Sequence, residues 1–313
     1  MHNGKLRVGV IGVGHLGKHH ARIYGQLAAA QNDLKLSAVV DVLADRAAEV
    51  AAPYGAEVLT DFRGLIGNVD AVSLAVPTTD HARIGIELLE NGIDVLVEKP
   101  IASSIEESRK LIDAASGNGR VLQVGHVERF NPVVRAATEV ATQPQFFEIH
   151  RLAVFTPRSL DIDVVLDLMI HDLDVVLSLV RSPVTEVRAV GIPVLSRKAD
   201  IANARLEFEN GCVANLTASR VSFEKVRKLR FFQPSDYISV DYASQRGTMV
   251  SLRMGRVLER KLEPAVTEPL MLELESFVDC VRKREIPRVG GADGLRALEL
   301  AMKINEQIAL RSK

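Results

Sequence analysis

The chain has 313 residues, long enough for two cores rather than one. Its 47% hydrophobic and 25% charged residues are those of an ordinary globular protein, and a formal net charge of −1 argues against a general binder of nucleic acid or membrane surfaces. No apolar run approaches the roughly 18 residues of a spanning helix and the start, MHNGKLRVGV, lacks a secretory pattern, so the cytoplasm is the expected address. Cys212 and Cys280 stand far apart in apolar surroundings and read as reduced core thiols.

Residues 6–12 (LRVGVIG) predict a short buried strand, followed by Gly12-Val13-Gly14-His15-Leu16-Gly17 and a helical run over 18–29. In this spacing Gly12 makes the tight turn, Gly14 lets the backbone approach a pyrophosphate, and Gly17 allows close packing of helix on strand. The helix start adds free N–H groups and the positive end of its dipole. A second strand over 36–40 ends in Asp41, placed to accept hydrogen bonds from an adenosine ribose and to repel a 2′-phosphate. The pattern predicts binding of NAD rather than NADP. His19 and His20 lie inside the helix and read as structural.

The alternation continues with a helix over 45–54, a short strand at 58–59, a helical turn over 61–67 and a strand over 71–76. Thr78 or Thr79 is the expected cap of a helix over 81–91, which Gly92 ends. The next apolar run, 93–97, leads straight into Glu98-Lys99-Pro100. Ligands of open α/β sheets sit outside the carboxyl ends of the strands, so a Glu-Lys pair there is aimed at a ligand; a surface salt bridge is the plain alternative. Ser103 with Glu106 predicts a capping box for a helix through Ala115, and 120–124 is a sixth strand. Residues 1–125 therefore read as a doubly wound parallel α/β domain.

The character changes at GHVERFNP (125–132). Alternating stretches at 146–154, 184–190, 201–208, 213–221, 226–232, 237–241 and 249–253 predict a large, mainly antiparallel sheet with one open face. One helix, 164–180, interrupts it, and helices over 269–283 and 293–310 close the chain, the last packing back on the first domain. Residues 126–313 thus form a second α/β domain for substrate binding and oligomerisation. On the interrupting helix Asp167 and His171 are one turn apart. A histidine among apolar neighbours is commonly a satisfied core residue, but an aspartate able to orient its ring makes it a candidate base. No spacing of His, Cys and Asp suits a metal, and none is expected.

These three marks together, Gly12-x-Gly14-x-x-Gly17, Glu98-Lys99-Pro100 and Asp167-x-x-x-His171, resemble the Gfo/Idh/MocA oxidoreductase family along the whole chain. The resemblance implies an NAD-dependent sugar dehydrogenase acting on a CH–OH group. It implies a cofactor site built from Gly12, Val13, Gly14, His15, Leu16, Gly17, Asp41, Val76, Pro77, Thr78, His81, Glu98, Lys99 and Pro100. Lys99 and His171 then share the roles of base and oxygen polariser, with either order open, and Asp167 orients His171. Where the family carries glycines around D-x-x-x-H, this chain has Val164-Val165-Leu166 and Leu168-Met169-Ile170, which predicts a more regular backbone.

More narrowly, GHVERFNP, HRLAVFTPRS and DIANARLEFENGCVANLTASR resemble the dehydrogenases of the 3-hydroxyl of UDP-N-acetylglucosamine. That implies a UDP-sugar substrate and a downstream aminotransferase in 2,3-diamino-sugar lipid A synthesis. A diphosphate needs cations; Arg129, Arg151 and Arg158, with Asn131, are the candidates beside Lys99 and His171, and Arg220, Lys225, Arg227, Lys228 and Arg230 are further sources. For any single one of these the plain reading is a solvated strand residue. Alternatives on the same fold are an inositol or free-sugar dehydrogenase and a non-catalytic NAD-responsive module. The open sheet face needs a cover, which points to a homodimer or homotetramer.

Overall fold

The computed structural model describes residues 4–156 and 162–311, which divide into two compact units. The first takes residues up to 126 together with 270–295, the second 127–269 together with 296–313.

The first unit is a six-stranded, all-parallel sheet of β1 (Leu6–Ile11), β2 (Leu34–Val40), β3 (Glu57–Leu59), β4 (Ala71–Leu74), β5 (Asp94–Glu98) and β6 (Leu122–Gly125). Their order across the sheet is β3-β2-β1-β4-β5-β6, so the chain reverses direction of winding between β1 and β4. Such a reversal splays the loops at the carboxyl edge and opens a crevice there. Continuous apolar runs make β4 and β5 buried at every position, as a sheet covered on both faces requires. Helices α1 (Gly17–Ala30), α2 (Ala44–Ala51), α3 (Thr78–Glu90) and α4 (Ile105–Gly117) provide the crossovers.

Two helix starts differ from expectation. Neither Thr78 nor Thr79 caps α3: the helix begins at Thr78 itself, and Pro77 stands at the cap without a side-chain bond. The cap of α4 is Ser104, one residue later than predicted; its hydroxyl accepts from the Glu107 amide at 3.1 Å, and the Glu107 carboxylate accepts from the Ser103 amide at 3.1 Å. Either serine has a glutamate three residues on, so sequence alone leaves the frame open.

The second unit is an eight-stranded sheet in the order β14-β13-β12-β11-β7-β10-β9-β8. Its strands are β7 (Phe146–Val154), β8 (Val184–Ile192), β9 (Ile201–Phe208), β10 (Val213–Ser222), β11 (Val226–Gln233), β12 (Asp236–Asp241), β13 (Arg246–Arg253) and β14 (Arg256–Leu262). All neighbours are antiparallel except β7 and β10, which run parallel. The sheet's buried face carries Phe147, Ile149, Leu216, Leu229 and Phe231, with Phe147 and Phe231 stacked at 5.5 Å. Cys212 and Cys280 are both buried and unpaired.

Helix α5 (Pro132–Val140) was not expected, and strand β14 adds an eighth to the seven predicted. Before α6 (Ile170–Val180) the chain makes one π-helical turn, Val165–Met169, in which the Ile170 amide reaches back to the Val165 carbonyl. The expectation of a regular backbone here is thus corrected. Helix α7 (Pro269–Lys283) packs into the first unit's core through Leu274, Phe277, Val278 and Val281. Helix α8 (Gly291–Arg311) contributes Ala297, Leu300, Ala301 and Ile304 to the second unit's core. No helix among the described residues is long and apolar enough to cross a membrane.

Candidate active site

The carboxyl edge of the parallel sheet gathers the first group of predicted residues. Gly12 turns the chain out of β1 at φ +80°, and a Cβ on it would stand 2.7 Å from the Ala75 carbonyl oxygen. A Cβ on Gly17 would stand 1.8 Å from the Gly12 carbonyl oxygen, so the helix can start this close to the strand only with hydrogen there. Gly14 is different: a Cβ on it would meet nothing within 4 Å. Gly12 and Gly17 are demanded by the fold, while Gly14 leaves backbone open to an incoming group. Helix α1 starts at this loop with no side chain capping its first amides and no acid in its first turn. That is a start suited to a diphosphate.

Asp41 ends β2 and is buried, 6% exposed. One carboxylate oxygen accepts from the Val13 amide and the other from the Leu43 amide, each at 3.0 Å, and Arg46 lies 3.6 Å away. A carboxylate has about four acceptor sites, so two bonds orient the group and leave lone pairs for the hydroxyls of a ribose. Val13, expected in the cofactor site, gives its amide to Asp41. His15 and Leu16 are exposed beside Gly14. These residues fit a dinucleotide.

Beyond β4, Val76, Pro77 and Thr78 line the same edge. His81 does not: its ring is 1% exposed, with Nδ1 2.9 Å from the Pro100 carbonyl oxygen and Nε2 3.0 Å from that of Val76. It ties the two loops together rather than reaching a ligand. Burial pushes its pKa below the usual histidine value, against the opposing pull of the Pro100 and Val76 carbonyls and of Glu98. At the end of β5, Glu98 is buried and Lys99 beside it remains partly exposed, and the Lys99–Pro100 peptide is cis.

In the second unit the π turn and α6 carry Asp167 and His171, both half-buried, while Asp172 and Asp174 on the same helix point inward. Asp163 holds the start, its Oδ1 accepting from the Val165 and Leu166 amides at 3.0 Å and its Oδ2 from Asn305 at 3.0 Å. This cap, an acid just ahead of the apolar run, was not singled out in the sequence. Behind the helix Arg151 of β7 is 3% exposed; its Nε and Nη2 donate to the two oxygens of Asp172 at 2.7 and 2.8 Å, and its Nη1 donates to Glu128 at 3.0 Å. Burial works against the guanidinium charge, but Asp172 and Glu128 outweigh it and hold the pKa well above its usual value. Arg129 reaches Asp174 at 3.3 Å.

The predicted phosphate contacts therefore separate. Arg151 is committed to an internal ion pair. Asn131 caps α5, its Oδ1 accepting from Val133 while its Nδ2 donates to Glu128 and to the Tyr242 carbonyl. Arg220 is buried on Asp200, the Ile162 carbonyl and Ser196. Lys228 and Arg230 share one face of β11, with Leu229 and Phe231 turned to the core between and beyond them. Arg158 lies outside the described residues. The signals for these inward roles were available: Asn-Pro is a helix-start pair, and alternation along β7 puts Arg151 on the same face as Phe147 and Ile149.

A doubly wound sheet with an open glycine loop at a helix start, a buried acid after the next strand and a strand-end lysine is a layout suited to a dinucleotide. Residues 6–126 match the profile of the Gfo/Idh/MocA oxidoreductase family, NAD-binding Rossmann fold, and residues 141–232 match that family's C-terminal domain. The chain is 37% identical to UDP-N-acetylglucosamine 3-dehydrogenase of Acidithiobacillus ferrooxidans over 96% of each chain, and a crystal structure of that enzyme superposes with a TM-score of 0.91, covering 97% of this chain and 98% of the other. It is 27% identical to the NAD-dependent scyllo-inositol 2-dehydrogenase of Bacillus subtilis over 95% of this chain and 92% of that one. Levoglucosan dehydrogenase in complex with NADH and levoglucosan, at 21% identity and a TM-score of 0.88, shares the fold over 97% of each chain. The chain belongs to the Gfo/Idh/MocA oxidoreductase family and is an NAD-dependent dehydrogenase acting on a CH–OH group.

Proposed function

We propose that the protein oxidises the 3-hydroxyl of UDP-N-acetylglucosamine to the 3-keto sugar. What carries this reading is the 37% identity over nearly the full length of an enzyme with that activity, with the glycine loop, Glu98-Lys99-Pro100 and Asp167-x-x-x-His171 all present. NAD, when bound, supplies the hydride acceptor. The open backbone at Gly14 and the start of α1 hold its diphosphate, and Asp41 holds its adenosine ribose. The C3 hydroxyl gives its proton to Lys99 or His171 as its carbon gives up hydride, and the other of the two polarises the oxygen. Asp167 orients His171. Of the predicted phosphate contacts, Arg129 and Arg158 stay with the substrate in this reading, and Arg151 and Asn131 support the segment from inside.

A 3-keto amino sugar is the substrate an aminotransferase needs, and in this reading the protein works in the cytoplasm ahead of such an enzyme, in 2,3-diamino-sugar lipid A synthesis. The open face of the eight-stranded sheet supports assembly as a homodimer or homotetramer. The inositol dehydrogenase relative favours a second reading, oxidation of a free polyol on the same fold. NAD reduction by the purified protein separates the two, with UDP-N-acetylglucosamine beside inositols and free sugars, and with an aminotransferase and glutamate present to draw an unfavourable equilibrium. Turnover of the UDP-sugar alone is expected. Turnover of a free polyol alone would discard the nucleotide-sugar reading and keep the fold.

A further inference from the structure

The first helix of the glycine loop delivers a second histidine to the strand-end motif. His20, three residues past Gly17, is completely buried, and its Nε2 lies 3.0 Å from Glu98 Oε1. The other oxygen of Glu98 accepts from the Lys99 amide at 3.2 Å. Across the sheet, a Cβ on Gly125 of β6 would stand 3.0 Å from the Glu98 carboxyl carbon and Oε2, so the neighbouring strand is kept bare where the carboxylate sits. The carboxylate is thus fixed on three sides: by an imidazole, by its neighbour's backbone and by a glycine.

The protonation pattern follows from the partners. Burial pushes the Glu98 carboxyl up, but the His20 hydrogen bond and charge, together with Lys99, outweigh it and hold the group below the usual carboxylate range. An ionised carboxylate only accepts, so His20 donates from Nε2. Its Nδ1 is buried with no hydrogen-bond partner among the described residues, so Glu98 is the side chain to which the ring is tied. The titratable groups that face Glu98 are His20 from α1, His81 from α3 and Lys99 at its own strand end.

We propose that His20 is a positioning residue for Lys99, acting through Glu98. It keeps the buried carboxylate ionised and aimed, so that both the backbone and the charge next to the lysine are set by a helix that also starts the cofactor site. This rests on the reading that Lys99 works at the reacting hydroxyl, and it makes the glycine-loop helix part of the proton chemistry as well as of phosphate binding. Without the His20 donor an ionised Glu98 is poorly solvated and takes up a proton. Lys99 then loses the negative charge that favours its ammonium form, and its amine titrates at lower pH.

The test uses the full-length protein and follows reaction of the Lys99 amine with an acylating reagent against pH, read by mass spectrometry, which needs no substrate. The His20→Leu protein is expected to label Lys99 at lower pH than the parent. His20→Gln, whose amide can donate to Glu98 from a similar position, is expected to follow the parent curve. With the UDP-sugar, the pH profile of kcat for His20→Leu should move in the same direction as its labelling curve with the KM for NAD within threefold, and adding His20→Leu to Glu98→Gln should cause no further shift. Coincident labelling curves for His20→Leu and the parent would overturn the proposal, and so would shifts that add in the double variant. A shifted labelling curve in a protein that turns over no sugar would keep the His20–Glu98–Lys99 coupling and remove only its catalytic use.

Discussion

Gly14 and Gly17 belong to one sequence motif and do different things. Replacing Gly17 by Ala drives a methyl group to within 1.8 Å of a backbone oxygen, and the expected loss is more than about 2 kcal/mol of stability, read as a lower melting temperature. Replacing Gly14 by Ala fills open space, so the melting temperature should hold while the Kd for NAD rises about tenfold, equivalent to about 1.4 kcal/mol. Equal effects on both properties in the two variants would contradict this division. Lys99→Ala tests the proposed base or polariser: turnover should fall on the order of 10²–10⁴-fold with NAD binding close to the parent's, as a titration with the cofactor would show. His81 makes the pH prediction. Its folded pKa lies below its unfolded value of about 6.5, so the unfolded chain binds the extra proton first. Its contribution to stability is complete above about pH 6.5 and is lost as the pH falls through the folded pKa. The melting temperature of the parent should therefore drop from pH 7 toward pH 5, more steeply than that of His81→Asn.

At the scale of elements, the helix that carries His171 is held from behind by charge. Arg151 compensates both Asp172 and Glu128 inside the second unit, so removing it strands two buried carboxylates. Arg151→Ala should cost about 3–5 kcal/mol in urea unfolding, and a change below 1 kcal/mol would show the pair to be solvated. The same elements show what sequence discloses. Strands β4, β5 and β7 were legible because continuous or alternating apolar runs name both the element and its buried face. Strand β14 was not, since six of its seven residues are exposed and RVLERKL carries no alternation. Helix α5 was hidden because Asn131 reads as a substrate contact when it is a cap followed by a first-turn proline. The π turn leaves no trace in a pattern of apolar spacing. Arg151 and Asn131 look like ligand-binding residues in one dimension, and only the register of β7 and the closeness of Glu128 and Asp172 turn them inward.

The whole molecule closes its first unit with residues that come 145 positions after that unit's last strand residue, Gly125 to Leu270, because α7 and the first turn of α8 complete the parallel domain. Leu274, Phe277, Val278 and Val281 recur at helical spacing on one side of α7 and are all 5% exposed or less within the core of β1, β2 and α1. Burying four such side chains contributes on the order of 6–12 kcal/mol, comparable with the whole stability of an average domain. The amphipathic pattern of α7 is plain in the sequence, but a pattern says that a face is buried and not against what. The consequence is that the cofactor domain is discontinuous, and the sequence boundary at 125 cuts it short. A chain ending after His126 should fail to fold cooperatively even though it holds all six strands and the complete glycine loop. It is expected to aggregate or to bind a hydrophobic dye, and to lack NAD affinity. A soluble 1–126 fragment with a sharp thermal transition and NAD binding would show that α7 is dispensable, and that the first unit's core is completed by its own crossover helices.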